Sequence, residues 1–300
     1  MNNYLKYRLL PKAQRKRWSY DDFLSFRMQE MRLKDIESLL TSRELWDAEK
    51  ELNDDRYRHI FNSKRTFASY FAKFMRRDIL YLSDVDFDTY IDFINRHGRI
   101  VVKPDDMYAG IGLVVKDRAD ISPIEEAQSF AFYKEKGYIA EEYVYQAAEY
   151  SSIYQGSLNT LRVTTFVGKD GLARILFVVN QFGSGGSIVD NDDDTAIWCA
   201  VDKETGQVIA CDIDEKTGRV ALSHPDTHVR ILGFINKDID AICQLALEAA
   251  VIVPSCRLVG WDIAVRADGR LELIEGNVTP ELELYQKITQ KGLREIMDGK

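Results

Sequence analysis

Residues 260–277 read GWDIAVRADGRLELIEGN, two runs of alternating character around Asp268-Gly269. Asp-Gly is a two-residue hairpin signal, because both central residues of a type I′ turn take positive φ. With those two as the loop, Ala267 faces Arg270 and Asp262 lies opposite Glu275. Asn277 follows Glu275 by two and shares its face. Directly paired Cβ atoms lie roughly 4.5–5.5 Å apart. Two carboxylates that close repel unless a cation or a shared proton compensates them. An all-oxygen set suits a hard cation, Mg²⁺ or Mn²⁺. Trp261, Ile263, Val265 and Ile274 would form the core stripe on the other face. The same residues would also suit a solvated hairpin with its polar groups outward.

Five further stretches carry groups of interest. Residues 99–116, RIVVKPDDMYAGIGLVVK, deliver Lys103 from a strand into a Pro-Asp-Asp turn and a small-residue loop. Gly110 and Gly112 would let backbone approach a phosphate, and lysine supplies a compact positive charge. Neither GxxxxGK[ST] nor GxGxxG is present, and a plain hairpin has the same pattern. Residues 140–149, AEEYVYQAAE, place Glu141, Glu142 and Glu149 around Tyr143 and Val144. Such a strand could offer carboxylates to an amino group and hydroxyls, with its backbone reading a base edge; an edge strand guarded by charge is the alternative. In SLNTLRVTTF, Arg162 sits among strand formers, and a guanidinium forks onto phosphate or carboxylate oxygens. Residues 180–191, NQFGSGGSIVDN, form a Gly/Ser loop that could close over a substrate or merely connect. His224-Pro225-Asp226 reads as a turn, either a plain one or one facing a substrate.

The elements that must position these groups are mixed. Residues 20–52 carry apolar positions at helical spacing, and 62–82 read as one helix with Asn62 or Ser63 as cap. Helices are expected at 86–96, 123–136 and 239–251, with Asn236 or Asp238 capping the last, and a helical tail from Thr279. Strands are expected at 99–103, 112–116, 138–145, 161–167, 174–180, 196–201 and 208–211.

The chain has 300 residues, 45% hydrophobic and 29% charged, with 40 basic and 48 acidic side chains and a net charge of −8. That balance is ordinary for a globular protein and argues against a general nucleic-acid binder. Lys6, Arg8, Lys12, Arg15, Lys16 and Arg17 form a basic cluster, either a solvated helix face or an arm for peripheral membrane or partner contact. Four cysteines show no CxxC spacing, and only four histidines occur, which argues against a zinc site. Neither a membrane-spanning run nor a signal peptide is apparent, so the cytoplasm is the expected compartment.

The order of these pieces resembles the ATP-grasp superfamily. SLNTLRVTT, IVDN, HPDT and VGWDIAV…LIEGN are similar to motifs of its sugar-transfer-associated family, found with polysaccharide-biosynthesis genes, over roughly residues 60–290. The resemblance implies an α+β fold in which two α+β lobes clamp ATP, preceded by an N-terminal helical segment. It divides the chain into a helical segment at 1–60, N-terminal and lid subdomains at 61–145, and a C-terminal subdomain with the metal site at 146–300. Lys64 and Lys103 would bind the α- and β-phosphates under the loop of Gly110 and Gly112. Glu141, Glu142 and Glu149, with the backbone of Tyr143 and Val144, would serve adenine and ribose. Arg162, with Lys103, would act in catalysis on the transferred phosphoryl group. Asp262, Glu275 and Asn277 would hold magnesium or manganese. Three positions depart from the pattern: Gly260 and Asn180-Gln181 stand where arginines are expected, and MYAGIG replaces a glycine-dense loop. The implied reaction joins a carboxylate to an amine through an acyl phosphate, on a sugar acid, amino acid or peptide. A phosphotransferase, or a nucleotide-binding protein without turnover, is the alternative. The oligomeric state is not legible.

Overall fold

The computed structural model describes residues 2–107, 110–189, 196–214, 219–220 and 222–294. Asp190-Asn191 of the Gly/Ser loop and Tyr108-Ala109 of the small-residue loop lie outside these.

Four short helices open the chain: α1 (Asn3–Leu9), α2 (Lys12–Arg17), α3 (Tyr20–Ser25) and α4 (Leu33–Ser38). They share a small core of Trp18, Phe23, Phe26, Met28, Ile36 and Leu39. Helix α5 (Ser42–Leu52) starts at a capping box in which Thr41 accepts from the Glu44 amide and Glu44 reaches back to Thr41. Arg17 and Arg294 each pair with Glu44, at 2.8 and 2.9 Å, tying both ends of the chain to this cap.

After α6 (His59–Asn62) and α7 (Lys64–Phe71), the chain enters a small lobe. Its strands are β1 (Ile79–Tyr81), β2 (Arg99–Pro104), β3 (Val114–Asp117) and β4 (Tyr138–Glu142), in the order β1-β4-β2-β3. Helices α8 (Phe87–His97) and α9 (Pro123–Glu135) cover the sheet, burying Tyr90, Phe93, Ile94 and Phe130 against Ile100, Val102 and Ala140. Asp86 caps α8, and Gly98 ends it at φ +73°, a left-handed stop that glycine adopts without a Cβ penalty.

The large lobe follows α10 (Ala148–Ile153). Its strands are β5 (Thr160–Val167), β6 (Ala173–Phe182), β7 (Ile197–Val201) and β8 (Val208–Cys211), then, beyond a two-residue ribbon of β9 (Ile213–Asp214) and β10 (Arg219–Val220) and helix α11 (Ile239–Ala250), β11 (Leu258–Val265) and β12 (Leu271–Asn277). Helix α12 (Leu282–Thr289) follows. Six strands form one antiparallel sheet, β12-β11-β5-β6-β7-β8. Every residue of β5 and β11 is buried, because both faces of the sheet are covered. Leu161, Val163, Val178, Phe182, Trp261 and Ile263 meet Phe67 and Phe71 of α7 and the apolar stripe of α11. On the opposite face Phe177, Val179, Ala200 and Leu258 meet α5 and α12. Period-two alternation along the strands therefore sorts Leu161 and Val163 to one side and Arg162 and Thr164 to the other.

Three elements differ from the sequence expectation. The helix expected over 62–82 stops at Phe71, and Ile79–Tyr81 is a strand paired with β4. The break lies at Arg76 and Arg77, whose amides turn to the buried carboxylate of Glu272 at 2.9 and 3.3 Å. The strand expected over 138–145 ends at Glu142, so Glu149 sits on helix α10 rather than on the strand of Glu141 and Glu142. The closing hairpin has a three-residue loop: Arg266 N–H donates to the Arg270 carbonyl at 2.9 Å, and only Gly269 has positive φ. Val265 consequently pairs Leu271, one step off the expected register. A β-bulge after Asp262 takes up an extra residue on β12 and restores the expected pairing, Asp262 opposite Glu275. The bulge moves Ile274 out of the core stripe; fully buried Leu273 takes its place.

Candidate active site

Pairing across the sheet lines up three charged side chains. Arg162 on β5 is the direct neighbour of Asp262 on β11, which is the direct neighbour of Glu275 on β12. Arg162 forks onto Asp262 through Nε and Nη2, both at 2.8 Å, and its Nη1 reaches Glu281 at 2.8 Å. Arg162 and Asp262 are both only 3% exposed. Burial works against the Arg162 charge, but Asp262 and Glu281 more than offset it and hold the guanidinium firmly protonated. Gln181, with its oxygen toward Arg162, accepts from Nε and Nη2 at 3.1 and 3.3 Å.

Glu275 is different. Among the described residues no hydrogen bond reaches its carboxyl group, and burial, then the charge of Asp262, push its pKa up. Lys103, Arg162 and Lys64 oppose that shift. Asn277 pairs Gly260 and accepts from the amide and hydroxyl of Thr279 at 2.9 and 3.0 Å.

Two lysines face these carboxylates. Lys64 is the first residue of α7, behind the Ser63 cap, and its Nζ donates to the carbonyls of Asp105 and Met107 at 3.2 and 2.8 Å. Asp105 accepts from the Ser63 hydroxyl and the Arg65 amide, docking the turn after β2 onto the start of α7. Lys103 pairs with Glu141 at 2.6 Å. Burial and then the charge of Lys103 lower the pKa of Lys64. Lys64, Lys103, Gly110, Asp262 and Glu275 line one cavity of about 120 Å³, together with Ile111, Val189 and Ile274. A neighbouring cavity of about 340 Å³ shares Lys64, Met107, Ile274 and Glu275, and adds Asn277. Gly110 lies at φ +68°, and a Cβ there would come within 2.3 Å of Val189 Cγ1, so the small-residue loop rests on the Gly/Ser loop.

The remaining expected residues sit outside these cavities. Gly112, at φ +76°, packs on Pro104 and Tyr138. Glu141 is 4% exposed and lies behind Lys103, paired also with Arg77 at 3.2 Å; burial raises its pKa, but Arg77 and Lys103 prevail and bring it to about 2. Glu142 pairs with Arg266 at 2.6 Å. Tyr143 carries Arg99 over its ring, and Val144 is buried. Asn180 and Asn236 exchange side-chain hydrogen bonds at 2.8 and 3.1 Å, fully buried, and Asn236 caps nothing. His224 is fully buried, contacts the Gly183 carbonyl at 2.7 Å and stacks on Tyr154, while Asp226 accepts from the Gly185 amide. The turn thus braces the Gly/Ser loop.

The structure adds residues that the sequence reading missed. Arg77, in the link between α7 and β1, is 7% exposed. Its guanidinium donates to Glu272 and to the Leu273 carbonyl, both at 2.8 Å, and to the Ile274 carbonyl at 3.0 Å. One side chain therefore grips the bulge that presents Glu275 and, through Glu141, the lysine opposite. Arg266 joins Glu272 to Glu142, extending the joint between the lobes. The sequence signal was the Arg76-Arg77-Asp78 run inside an apolar pattern, and Glu272 between two apolar strand residues.

The set fits a divalent cation on its own chemistry. Asp262 and Glu275 are adjacent like charges, Glu275 lacks a donor, and Asn277 adds a neutral oxygen nearby. Among the described residues no three His, Cys, Asp or Glu side chains cluster as a metal site; the donors here are two carboxylates and an amide.

A two-lobed molecule with a six-stranded antiparallel sheet and lysines facing carboxylates across the cleft has counterparts among solved structures. It is similar to D-alanyl-alanine synthetase A from Vibrio cholerae O1 biovar eltor, with TM-score 0.50 and 14% identity, covering 80% of this chain and 63% of that one. It is also similar to the ATP-grasp ligase PsnB complexed with a phosphomimetic precursor variant, Mg and ADP: TM-score 0.50, 15% identity, 96% and 71% of the two chains. The ADP complex of PurK, N5-carboxyaminoimidazole ribonucleotide synthetase, gives TM-score 0.50 and 13% identity over 88% of this chain and 59% of that one. The chain thus spans less than two thirds of the synthetase and of PurK. The fold is ATP-grasp. The model of the sugar-transfer associated ATP-grasp family matches residues 85–298, and the chain belongs to that family. No curated protein sequence matches it. Among the described residues no helix is long and apolar enough to cross a membrane.

Proposed function

We propose that this protein is an ATP- and Mg²⁺-dependent carboxylate–amine ligase acting on a sugar acid, amino acid or peptide in polysaccharide or cell-envelope biosynthesis. One observation carries the reading. A single cavity sets two lysines, Lys64 with its pKa lowered by burial and by the charge of Lys103, against two like-charged carboxylates on neighbouring strands. A polyanion answers the first imbalance and a divalent cation the second, and a magnesium nucleotide supplies both. The membership of an ATP-grasp family supports ATP as that nucleotide.

In this reading Lys64 and Lys103 hold the nucleotide's phosphates, and Asp262, Glu275 and Asn277 hold Mg²⁺. The bound ion would neutralise charge developing on the transferred phosphoryl oxygens. The substrate carboxylate attacks the γ-phosphorus and ADP leaves. The amine then attacks the acyl phosphate carbonyl, loses a proton and releases inorganic phosphate. Arg162 is positioned at the end of the row, and its partner Glu281 has a side chain 46% exposed, the more replaceable of its two anions. Exchange of that anion for a phosphoryl oxygen would preserve the guanidinium's pairing.

The test is mass spectrometry of products from ATP with panels of carboxylates and amines. The expected result is an amide with ADP and phosphate, lost in E275Q. A phosphorylated product with no amide selects a phosphotransferase. ADP binding without turnover on any panel selects a nucleotide-binding protein.

A further inference from the structure

A third cavity, of about 590 Å³, lies on the α5 and α12 face of the large sheet. It adjoins the site through Asn277, Thr279 and Glu281, the partner of Arg162. Its charged lining comprises Glu49, Asp212, Glu281 and Glu283 against one lysine, Lys287. Some of this charge is already answered. Glu281 pairs with Arg162, and Glu283 with Ser42 and Lys287.

Glu49 is not answered. It is 9% exposed, it lines the cavity, and no hydrogen bond or ion pair within 4 Å reaches its carboxylate among the described residues. Arg58 is the one cation among the described residues whose charge opposes a rise in the Glu49 pKa, and it makes no ion pair with that carboxylate. A buried carboxylate without a partner is costly, so it either keeps its proton or awaits a cation. Two indoles, Trp46 and Trp198, line the same space. Each has a cation near its ring within the protein, Lys50 Nζ at 3.5 Å from the Trp46 centroid and the Arg162 guanidinium at 5.1 Å from that of Trp198. An anionic ligand would be repelled here. A bare divalent ion would want several converging oxygens, which the described residues do not offer. An organic ammonium satisfies carboxylate and aromatic walls together.

We propose that this cavity docks the amine substrate as its ammonium form, a primary aliphatic amine with Glu49 as counter-ion and Trp46 and Trp198 as apolar contacts. The identification as substrate rests on the ligase reading; the binding itself does not. Burial raises the pKa of Glu49 to about 7, consistent with a carboxylate that lacks its cation.

The test uses the full chain labelled with 5-fluorotryptophan. Its four tryptophans divide into Trp46 and Trp198 in the cavity, and Trp18 and Trp261 in separate cores. Fluorine resonances, assigned by single Trp→Phe variants, are followed while cadaverine, neutral 1,5-pentanediol or anionic glutarate is added at constant ionic strength. Saturable shifts of Trp46 and Trp198 with cadaverine alone are expected, with Trp18 and Trp261 unmoved, and E49Q should weaken binding by about tenfold or more. No saturable shift, an equal response to the diol, or unchanged cadaverine affinity in E49Q would overturn the proposal. If E49Q does not fold, the selectivity of the native chain among the three probes decides alone. Mg-ADP calorimetry on the same sample tests the nucleotide site separately, so failure of the ligase reading is distinguishable from failure of the cavity.

Discussion

Replacing Glu275 by glutamine should make the empty protein more stable and the loaded protein less so. Glu275 and Asp262 are direct cross-strand neighbours, and no donor satisfies Glu275 among the described residues. Two unit charges about 5 Å apart repel by roughly 3 kcal/mol at an effective dielectric constant of about 20. Lys103, Arg162 and Lys64 cancel part of this, leaving about 1–2 kcal/mol to be relieved by E275Q. For a chain of this size that corresponds to a rise in Tm of about 2–3 °C. The sign with pH follows from the raised folded pKa. Folding favours the protonated carboxyl, so the native chain loses stability as pH climbs above the ordinary glutamate value of 4.5. The advantage of E275Q should therefore be largest at pH 8 and vanish near pH 4. Ligand reverses the order. At a hundredfold excess over Kd, Mg-ADP should stabilise the native protein by about 2.7 kcal/mol; a hundredfold loss of affinity in E275Q leaves about 0.4 kcal/mol. Differential scanning calorimetry across pH, with and without Mg-ADP, measures both arms. An E275Q chain no more stable at pH 8, and gaining as much from Mg-ADP as the native one, would refute the reasoning.

Arg77→Met should cost about 3 kcal/mol, because it removes a buried cation shared by Glu272 and Glu141 and leaves them only Arg266 and Lys103 as charged partners. Arg77→Lys keeps the charge but loses the fork onto the Leu273 and Ile274 carbonyls; it should fold while binding Mg-ADP more weakly, which thermal denaturation and calorimetry together would separate. Gly110→Ala combines a left-handed φ with a contact to Val189, so it should weaken ADP binding by about 1–2 kcal/mol. Adding Val189→Ala should restore only the steric part, and calorimetry of the double variant gives the split.

Much of the site was legible because strand pairing is a counting problem. The pairing of Asp262 with Glu275 follows from spacing alone, although the hairpin loop is one residue longer than Asp-Gly indicates and the bulge corrects the count. Lys64 and Lys103 share a cavity with the two carboxylates; spacing pointed to Lys103 before its loop, whereas Lys64 came only from the ATP-grasp resemblance. What spacing did not reveal were partners brought in from far along the chain. Arg162 reaches Asp262 across a sequence separation of 100, and Arg77 reaches Glu272 across 195. Strand β1 was hidden because its neighbours are helix formers; Glu272 captures the amides before it, and β4 pairs with it. The glutamates of residues 141–149 were read as one strand's equipment; a buried ion pair, a surface-ward ion pair and a helix turn claim them separately.

The irregularity beside Asp262 insulates the charged row from the tip of its own ribbon. Residues 267–270 are exposed, and the offset they introduce is absorbed before it reaches Glu275. Sequence can thus be spliced into that tip, a reporter or an affinity handle, without reassigning which carboxylate faces which. Removing Ile274 would take out the bulge itself and set Leu273 and Glu275 on consecutive rungs, opposite Ile263 and Asp262.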